Sequence, residues 1–233
     1  VNCKSDDIIF VPNPTFGVAN VINNITIDNG ENVLTTNLEY GSCDRMWFYH
    51  SKKNDYKSRA AYKLIELEEK FNLIKDSRYV LDLGCAPGSW LQVLSSFSNL
   101  KSIVGVDRLE IDRIQGAEFF RYDISDLSLI DLLTEKSNCK FNLVLSDIAP
   151  NITGIADIDQ ANFTSVTENV LQISNKLLEK EGNLIIKQFN GPRLKEIRNI
   201  LEISFRKIEV FKPKSSKKNS SEIYIVCKGF KDC

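Results

Sequence analysis

Tyr79-Val80-Leu81-Asp82-Leu83-Gly84-Cys85-Ala86-Pro87-Gly88-Ser89-Trp90 decides how this chain folds. An apolar, β-favouring run drops into a loop with glycines at 84 and 88, then emerges in a helical pattern over 89–97. Glycine allows a sharp turn and lets the backbone approach a ligand where a side chain would collide. The spacing is G-x-x-x-G rather than the dinucleotide pattern G-x-G-x-x-G, and Pro87 lacks the N–H that a pyrophosphate cradle needs. Taken alone, the turn reads equally well as a tight strand-to-helix connection.

The same alternation continues outward on both sides. Strand-like runs fall at 79–84, 102–106, 117–121, 141–147, 183–188, 206–211 and 222–228, with helical patterns near 89–97, 126–136, 159–180 and 192–204. Upstream, the spacing predicts a helix from a Ser58 cap through Phe71. Ala61, Leu64, Ile65, Leu67 and Phe71 form its apolar stripe, and Glu66, Glu68, Glu69 and Lys70 face water. Apolar strands alternating with helices predict a parallel sheet covered on both faces. The last two strands are joined by a loop too short for a crossover, so that pair must be antiparallel. The fold class is therefore α/β and Rossmann-like, a mostly parallel seven-stranded sheet ending in an antiparallel hairpin. Residues 1–43 read differently, as a short β-rich extension with a hairpin around Asp28-Asn29-Gly30-Glu31-Asn32, preceding a domain of residues 44–233.

In such sheets ligands bind where the strands end. The loop from Gly84 to Gly88, with Ser89 and Trp90 behind it, suits a ligand end without phosphate, such as the amino-acid end of S-adenosylmethionine. Asp107 closes the second strand, 19 residues past Gly88, where a carboxylate can accept both hydroxyls of an adenosine ribose. Asp123 follows the third strand and is placed to bond an adenine amino group. Each aspartate alone is more often a cap or turn former. The fourth strand ends in Asp147 and the fifth in Lys187, a residue type seldom buried unless paired.

Composition narrows the chemistry. The chain has 233 residues with a formal charge of −1 and no apolar run of membrane length, secretion signal or transit peptide. A cytoplasmic monomer is expected, with organellar or nucleolar locations left open. Its six cysteines form no C-x-x-C pair and read as free thiols. The single histidine, His50, sits in a charged run and reads as solvated. Multi-histidine metal sites and Ser-His-Asp catalysis are set aside, and no metal is expected. Residues 1–43 carry a balance of −4, which leaves +3 for the remainder. Within that remainder Lys52, Lys53, Lys57 and Arg59 make one basic stretch, and Lys212, Lys214, Lys217 and Lys218 another. Both are readable as solvated loops or as a phosphate-binding face. Ser220, Ser221 and Tyr224 read as turn and core residues.

Five segments stand in one order: Ser58-Arg59-Ala60-Ala61-Tyr62-Lys63-Leu64; Asp82-Leu83-Gly84-Cys85-Ala86-Pro87-Gly88-Ser89-Trp90; Ser146-Asp147-Ile148-Ala149-Pro150-Asn151; Lys187-Gln188-Phe189; and Ser221-Glu222-Ile223-Tyr224-Ile225-Val226. Over about residues 45–231 this order resembles the FtsJ-like RNA ribose 2′-O-methyltransferases. The resemblance implies a catalytic tetrad at Lys63, Asp147, Lys187 and Glu222. It also implies S-adenosylmethionine contacts at Gly88, Trp90, Asp107, Asp123 and Asp147. Cys85 and Ser89 depart mildly from the residues frequent there. An RNA substrate follows, with a uridine of large-subunit ribosomal RNA expected first and transfer RNA or a message cap as alternatives. Lys187 is then expected to act as a base with a pKa lowered by burial and by the neighbouring Lys63. A methyltransferase for proteins or small molecules, or a non-catalytic RNA-binding subunit on the same fold, are the rival readings.

Overall fold

A computed structural model describes residues 56–137, 139–150, 156–191, 193–216 and 220–231, without the side chains of 156–160. The expected N-terminal hairpin, His50 and the 43/44 boundary lie outside the described residues. In chain order the elements are α1 (Ala60–Phe71), β1 (Tyr79–Leu83), α2 (Ser89–Ser95), β2 (Ser102–Asp107), β3 (Glu118–Arg121), α3 (Ser128–Lys136), β4 (Phe141–Ser146), α4 (Ala156–Leu177), β5 (Leu178–Phe189), α5 (Leu194–Ser204), β6 (Phe205–Phe211) and β7 (Glu222–Phe230).

The seven strands form one sheet in the order β3-β2-β1-β4-β5-β7-β6. β1 to β5 pair in parallel, while β7 inserts between β5 and β6 and runs antiparallel to both. Strand order reverses between β1 and β4, which opens the crevice where ligands of open α/β sheets bind. Because β7 runs backwards, its first residue arrives at the edge where β4 and β5 finish, with Glu222 opposite Phe189 and Tyr224 opposite Lys187.

Alternate residues of each strand feed two cores. Val80, Ile103, Leu143, Leu145, Ile185, Tyr224 and Val226 pack with Leu64, Leu67 and Phe71 of α1 and Leu91 and Leu94 of α2. Their neighbours Leu81, Val104, Val144, Leu184, Ile186, Ile225 and Cys227 pack with residues of α3, α4 and α5. Burial on both faces explains why the strands read as nearly continuous apolar runs.

Four expectations need correction, the first being Glu66, which is half-buried and accepts the Lys214 and Ser215 N–H groups of the loop after β6 instead of facing water. Ser58 is not the cap residue of α1; Arg59 occupies that position without a side-chain cap, although the Ser58 hydroxyl accepts the Ala60 N–H at 3.2 Å. Glu68 does not face water but is buried, accepting the N–H groups of Ile74 (2.7 Å) and Lys75 (3.1 Å) in the turn that follows α1. The helix expected through residue 180 ends at Leu177, and β5 begins at once. An irregularity there pairs Phe141 with Leu178 but Leu143 with Asn183, and it lets β5 absorb the predicted loop.

Candidate active site

The loop leaving β1 stays tied to β2, with the N–H groups of Gly84 (2.8 Å) and Cys85 (3.2 Å) both donating to the Val106 carbonyl. Gly84 has φ +78°, and a Cβ there would lie 2.1 Å from Cγ1 of Ile148, so the closeness of the loop to the end of β4 depends on glycine. Gly88, at φ +103°, turns the chain into α2.

A cleft of about 600 Å³ opens at this sheet edge. Gly84, Asp107, Asp123 and Asp147 line one side, and Asn162, Ser165 and Asn169 of α4 line it as well. Asp107 braces the loop: one of its oxygens accepts the Ala86 N–H (2.9 Å) and the other the Leu109 N–H (2.8 Å). The Asp123 carboxylate accepts the Ser125 N–H and hydroxyl, which hold its pKa below the ordinary value. Ser89 and Trp90 sit elsewhere, in a smaller hollow shared with Asp82 and Asp147. They fasten α2 to the start of α1, the Ser89 hydroxyl donating to that of Ser58 (2.7 Å) and the Trp90 indole to the Ala60 carbonyl (2.8 Å). Asp82, at 1% exposure, has no partner for either oxygen among the described residues. Burial pushes its pKa well up, and the charges of Asp147 and Asp107 add to the effect, so the site favours the protonated acid.

Beside the cleft lies a chain of paired charges contributed by α1, β5, β7 and the residue that follows β4. Lys63 of α1 meets one oxygen of Glu222 at 2.7 Å. Lys187 of β5 meets the other at 3.0 Å and reaches Asp147 Oδ1 at 3.3 Å. Lys63, Lys187 and Glu222 are all buried. Burial alone would raise the Glu222 carboxyl, but Lys63 and Lys187 outweigh it and bring the pKa down to about 2. For Lys187 burial favours the neutral amine, yet Asp147 and Glu222 prevail and the pKa rises above its ordinary value. The expected lowering is therefore overturned: two flanking carboxylates dominate, and Lys187 is an ammonium at neutral pH.

Sequence reading missed one member of this group. Tyr224, fully buried, donates its hydroxyl to Asp147 Oδ1 at 2.5 Å and carries Lys63 Nζ 5.9 Å from its ring centre. The signal was available, since Tyr224 stands two residues past Glu222 on one strand and so shares its face.

The basic residues divide. Lys57 is paired with Asp112 at 2.7 Å, and Arg59 is exposed at the start of α1. Asp112 is almost fully exposed, so this pair is weak and screened by salt. Lys212 and Lys214 are exposed on the loop after β6, the Lys212 ammonium donating to the Ser220 carbonyl at 2.9 Å. Lys52, Lys53, Lys217 and Lys218 lie outside the described residues. Among the described residues no group of three or more His, Cys, Asp or Glu could hold a metal ion, and no helix is long and apolar enough to cross a membrane.

Comparison with known proteins places this geometry in context. The family model described as FtsJ-like methyltransferase matches residues 56–230. The ribosomal RNA large subunit methyltransferase E of Methanothermobacter thermautotrophicus is 41% identical over 191 residues, covering 79% of this chain and 89% of that protein. The protein of the same name from Anaplasma phagocytophilum is 38% identical, covering 87% of this chain and 83% of its own. A crystal structure described as a ribosomal RNA methyltransferase of Plasmodium falciparum superposes with a TM-score of 0.66 at 33% identity, covering 75% of this chain and 98% of that one.

Proposed function

Because this chain belongs to the FtsJ-like methyltransferase family, we propose that it uses S-adenosylmethionine to methylate the ribose 2′-hydroxyl of a uridine in large-subunit ribosomal RNA. The domain doing so would be residues 44–233, with 1–43 as an extension. The observation that carries the reading is the buried Lys63–Glu222–Lys187–Asp147 network set against an acid-lined cleft. The names of the relatives support the choice of substrate.

The cleft fits such a donor. Three carboxylates on its wall disfavour phosphate and favour a cationic nucleoside, and Gly84 keeps a Cβ out of the way. Asp107 would take the ribose hydroxyls, Asp123 the adenine amino group, and Asp147 the end nearest the network, with Gly84, Gly88, Ser89 and Trp90 shaping the loop around the rest. When bound, the donor supplies a methyl group on a sulfonium whose thioether leaves neutral.

Lys187 directs the acceptor. With such a donor bound, attack of the 2′-oxygen on the methyl carbon would displace the neutral thioether, and Lys187 as the neutral amine would take the hydroxyl proton. Because its flanking carboxylates raise its pKa, the neutral amine of Lys187 is a minor species at neutral pH, so base strength comes at the expense of population. Glu222 fixes both lysines, Lys63 completes the carboxylate's coordination, and Tyr224 holds Asp147. Arg59, Lys212 and Lys214, together with Lys52, Lys53, Lys57, Lys217 and Lys218, would track the flanking phosphates.

The test supplies methyl-labelled donor and deproteinised large-subunit RNA to the purified chain. Label should appear at one nucleotide in a linkage resistant to alkali at the 2′ position, and Lys187→Ala should slow its appearance on the order of 10²–10⁴-fold. Label on a base, or on protein in place of RNA, overturns the reading.

A further inference from the structure

One buried hydroxyl joins the charged network from outside the tetrad. Ser216, at 4% exposure, donates its hydroxyl to Glu222 Oε1 at 2.9 Å, the same oxygen that Lys63 meets at 2.7 Å. Oε2 is left for Lys187. Glu222 is thus held by three donors from α1, β5 and the loop after β6, and with a distinct role for each oxygen it cannot rotate without losing one of them. A carboxylate bonded only to two long, flexible lysines would lack that constraint.

The loop that delivers Ser216 is itself clamped. Glu66 of α1 accepts the N–H of Lys214 at 2.5 Å with one oxygen and that of Ser215 at 2.8 Å with the other. The Ser216 N–H donates to the Pro213 carbonyl at 3.1 Å, closing the turn. Within this segment the residues divide by side, with Lys212 and Lys214 exposed and Ser215 and Ser216 buried. One short turn therefore presents cations outward at the rim and a hydroxyl inward on the tetrad carboxylate. It is anchored to the helix that also carries Lys63, three residues before Glu66.

We propose that Ser216 is a positioning residue of the Lys63–Glu222–Lys187 network, and that the loop clamped by Glu66 couples docking of an RNA backbone on Lys212 and Lys214 to the alignment of Glu222. This rests on the methyl-transfer reading above and adds to it a connection between the rim and the chemistry. Ser216 touches neither reacting atom; it acts through Glu222. Phosphates drawn to the outward lysines load the turn, and among the described residues the turn's inward hydrogen bond to the network is that of Ser216.

The experiment compares Ser216→Ala, Ser216→Thr, Glu66→Ala and the Ser216→Ala/Glu66→Ala double variant in two measurements. Steady-state methylation of ribosomal RNA gives kcat and KM, and carbon-13 NMR titration of Glu222 needs no activity. Ser216→Ala is expected to lower kcat on the order of tenfold, as for loss of one hydrogen bond to a charged group, with KM for RNA within about twofold. Threonine, which keeps the hydroxyl, should restore most of the rate. Glu66→Ala should raise KM and lower kcat together, and the double variant should lose no more kcat than Glu66→Ala alone, since both act through one turn. The Glu222 titration should move upward in Ser216→Ala because a donor to its charged form is gone. A Ser216→Ala protein with wild-type kcat, or a Glu222 titration that stays in place, overturns the inference. If the unsubstituted chain methylates no RNA while the Glu222 titration still responds to Ser216→Ala, the functional reading fails and the positioning contact stands.

Discussion

Glu222→Gln removes one negative charge from between two buried ammonium groups while keeping the shape of the side chain. Its effect on stability follows from the titration of the native carboxyl. The folded pKa is about 2 against an ordinary 4.5, and at 1.36 kcal/mol per unit the ion pairs contribute about 3 kcal/mol. Because the folded pKa is depressed, that contribution is complete above the ordinary value and is lost as pH falls through the folded one. The gap between the two proteins should therefore be about 3 kcal/mol at pH 7 and persist near pH 6. By pH 3 it should narrow to less than half of that, as protonation of the wild-type carboxyl catches up. Urea denaturation of both proteins at pH 7, 5 and 3 measures the gap directly, and other titrating groups largely cancel in the difference. A gap that is the same at all three values would show that glutamine disturbs packing rather than charge. No gap at pH 7 would mean that Lys63 and Lys187 do not hold Glu222 in its ionised form.

Four further outcomes follow from the same geometry. With Lys187 above its ordinary pKa, the neutral fraction grows tenfold per pH unit, so single-turnover rates should rise log-linearly from pH 6.5 to 9 without a plateau; a plateau near pH 7 would refute a carboxylate-locked base. Lys187→Ala should keep donor binding by calorimetry and lower kcat on the order of 10²–10⁴-fold, and a variant at near-normal turnover would remove Lys187 from the mechanism. Asp82→Asn should stabilise the protein at pH 8, because the variant needs neither the proton uptake nor the buried charge that folding imposes on the wild-type carboxyl there. A buried acid with a raised pKa favours folding below its unfolded pKa and loses that advantage as pH rises, so thermal melts of this variant and wild type should converge toward pH 4; an Asp82→Asn protein that melts lower than wild type at pH 8 contradicts this. Lys212→Ala/Lys214→Ala should weaken RNA binding across sequences and flatten the salt dependence by about one to two units of slope, read by filter binding from low to high salt; an unchanged slope removes the loop from the RNA track.

The sheet was legible because its strands are buried on both faces, so runs such as Leu143-Val144-Leu145 and Leu184-Ile185-Ile186 leave little choice of element. The residue types at the strand ends were legible for a related reason: a lysine closing an apolar strand demands partners. What local pattern could not supply was the balance of opposing effects on that lysine. Its two carboxylates come from 40 residues upstream and 35 downstream, and only their distances decide whether they outweigh burial. Glu68 and Glu66 were misread for the same kind of cause. Each looks like a solvent-facing helix residue until a distant or following turn brings backbone N–H groups to its carboxylate. Tyr224 counted as core, and it is core, but its hydroxyl is the part that touches Asp147.

Stability does not account for four charged residues in this position. Two lysines against two carboxylates make a neutral cluster, and clusters of this kind are commonly replaced by apolar residues of similar volume without loss. Removing a single member is different, because it strands a partner in a poorly solvated site, which is why Glu222→Gln is expected to be costly even though the cluster as a whole need not be. The charges are better understood from the cleft side. Asp147 is at once a wall of the acid-lined cleft, the acceptor of the Tyr224 hydroxyl and a partner of Lys187. A carboxylate in that position makes the protonation of Lys187 depend on what occupies the cleft, since any positive charge drawn to Asp147 competes with the ammonium for it. An apolar replacement of the cluster would sever that dependence.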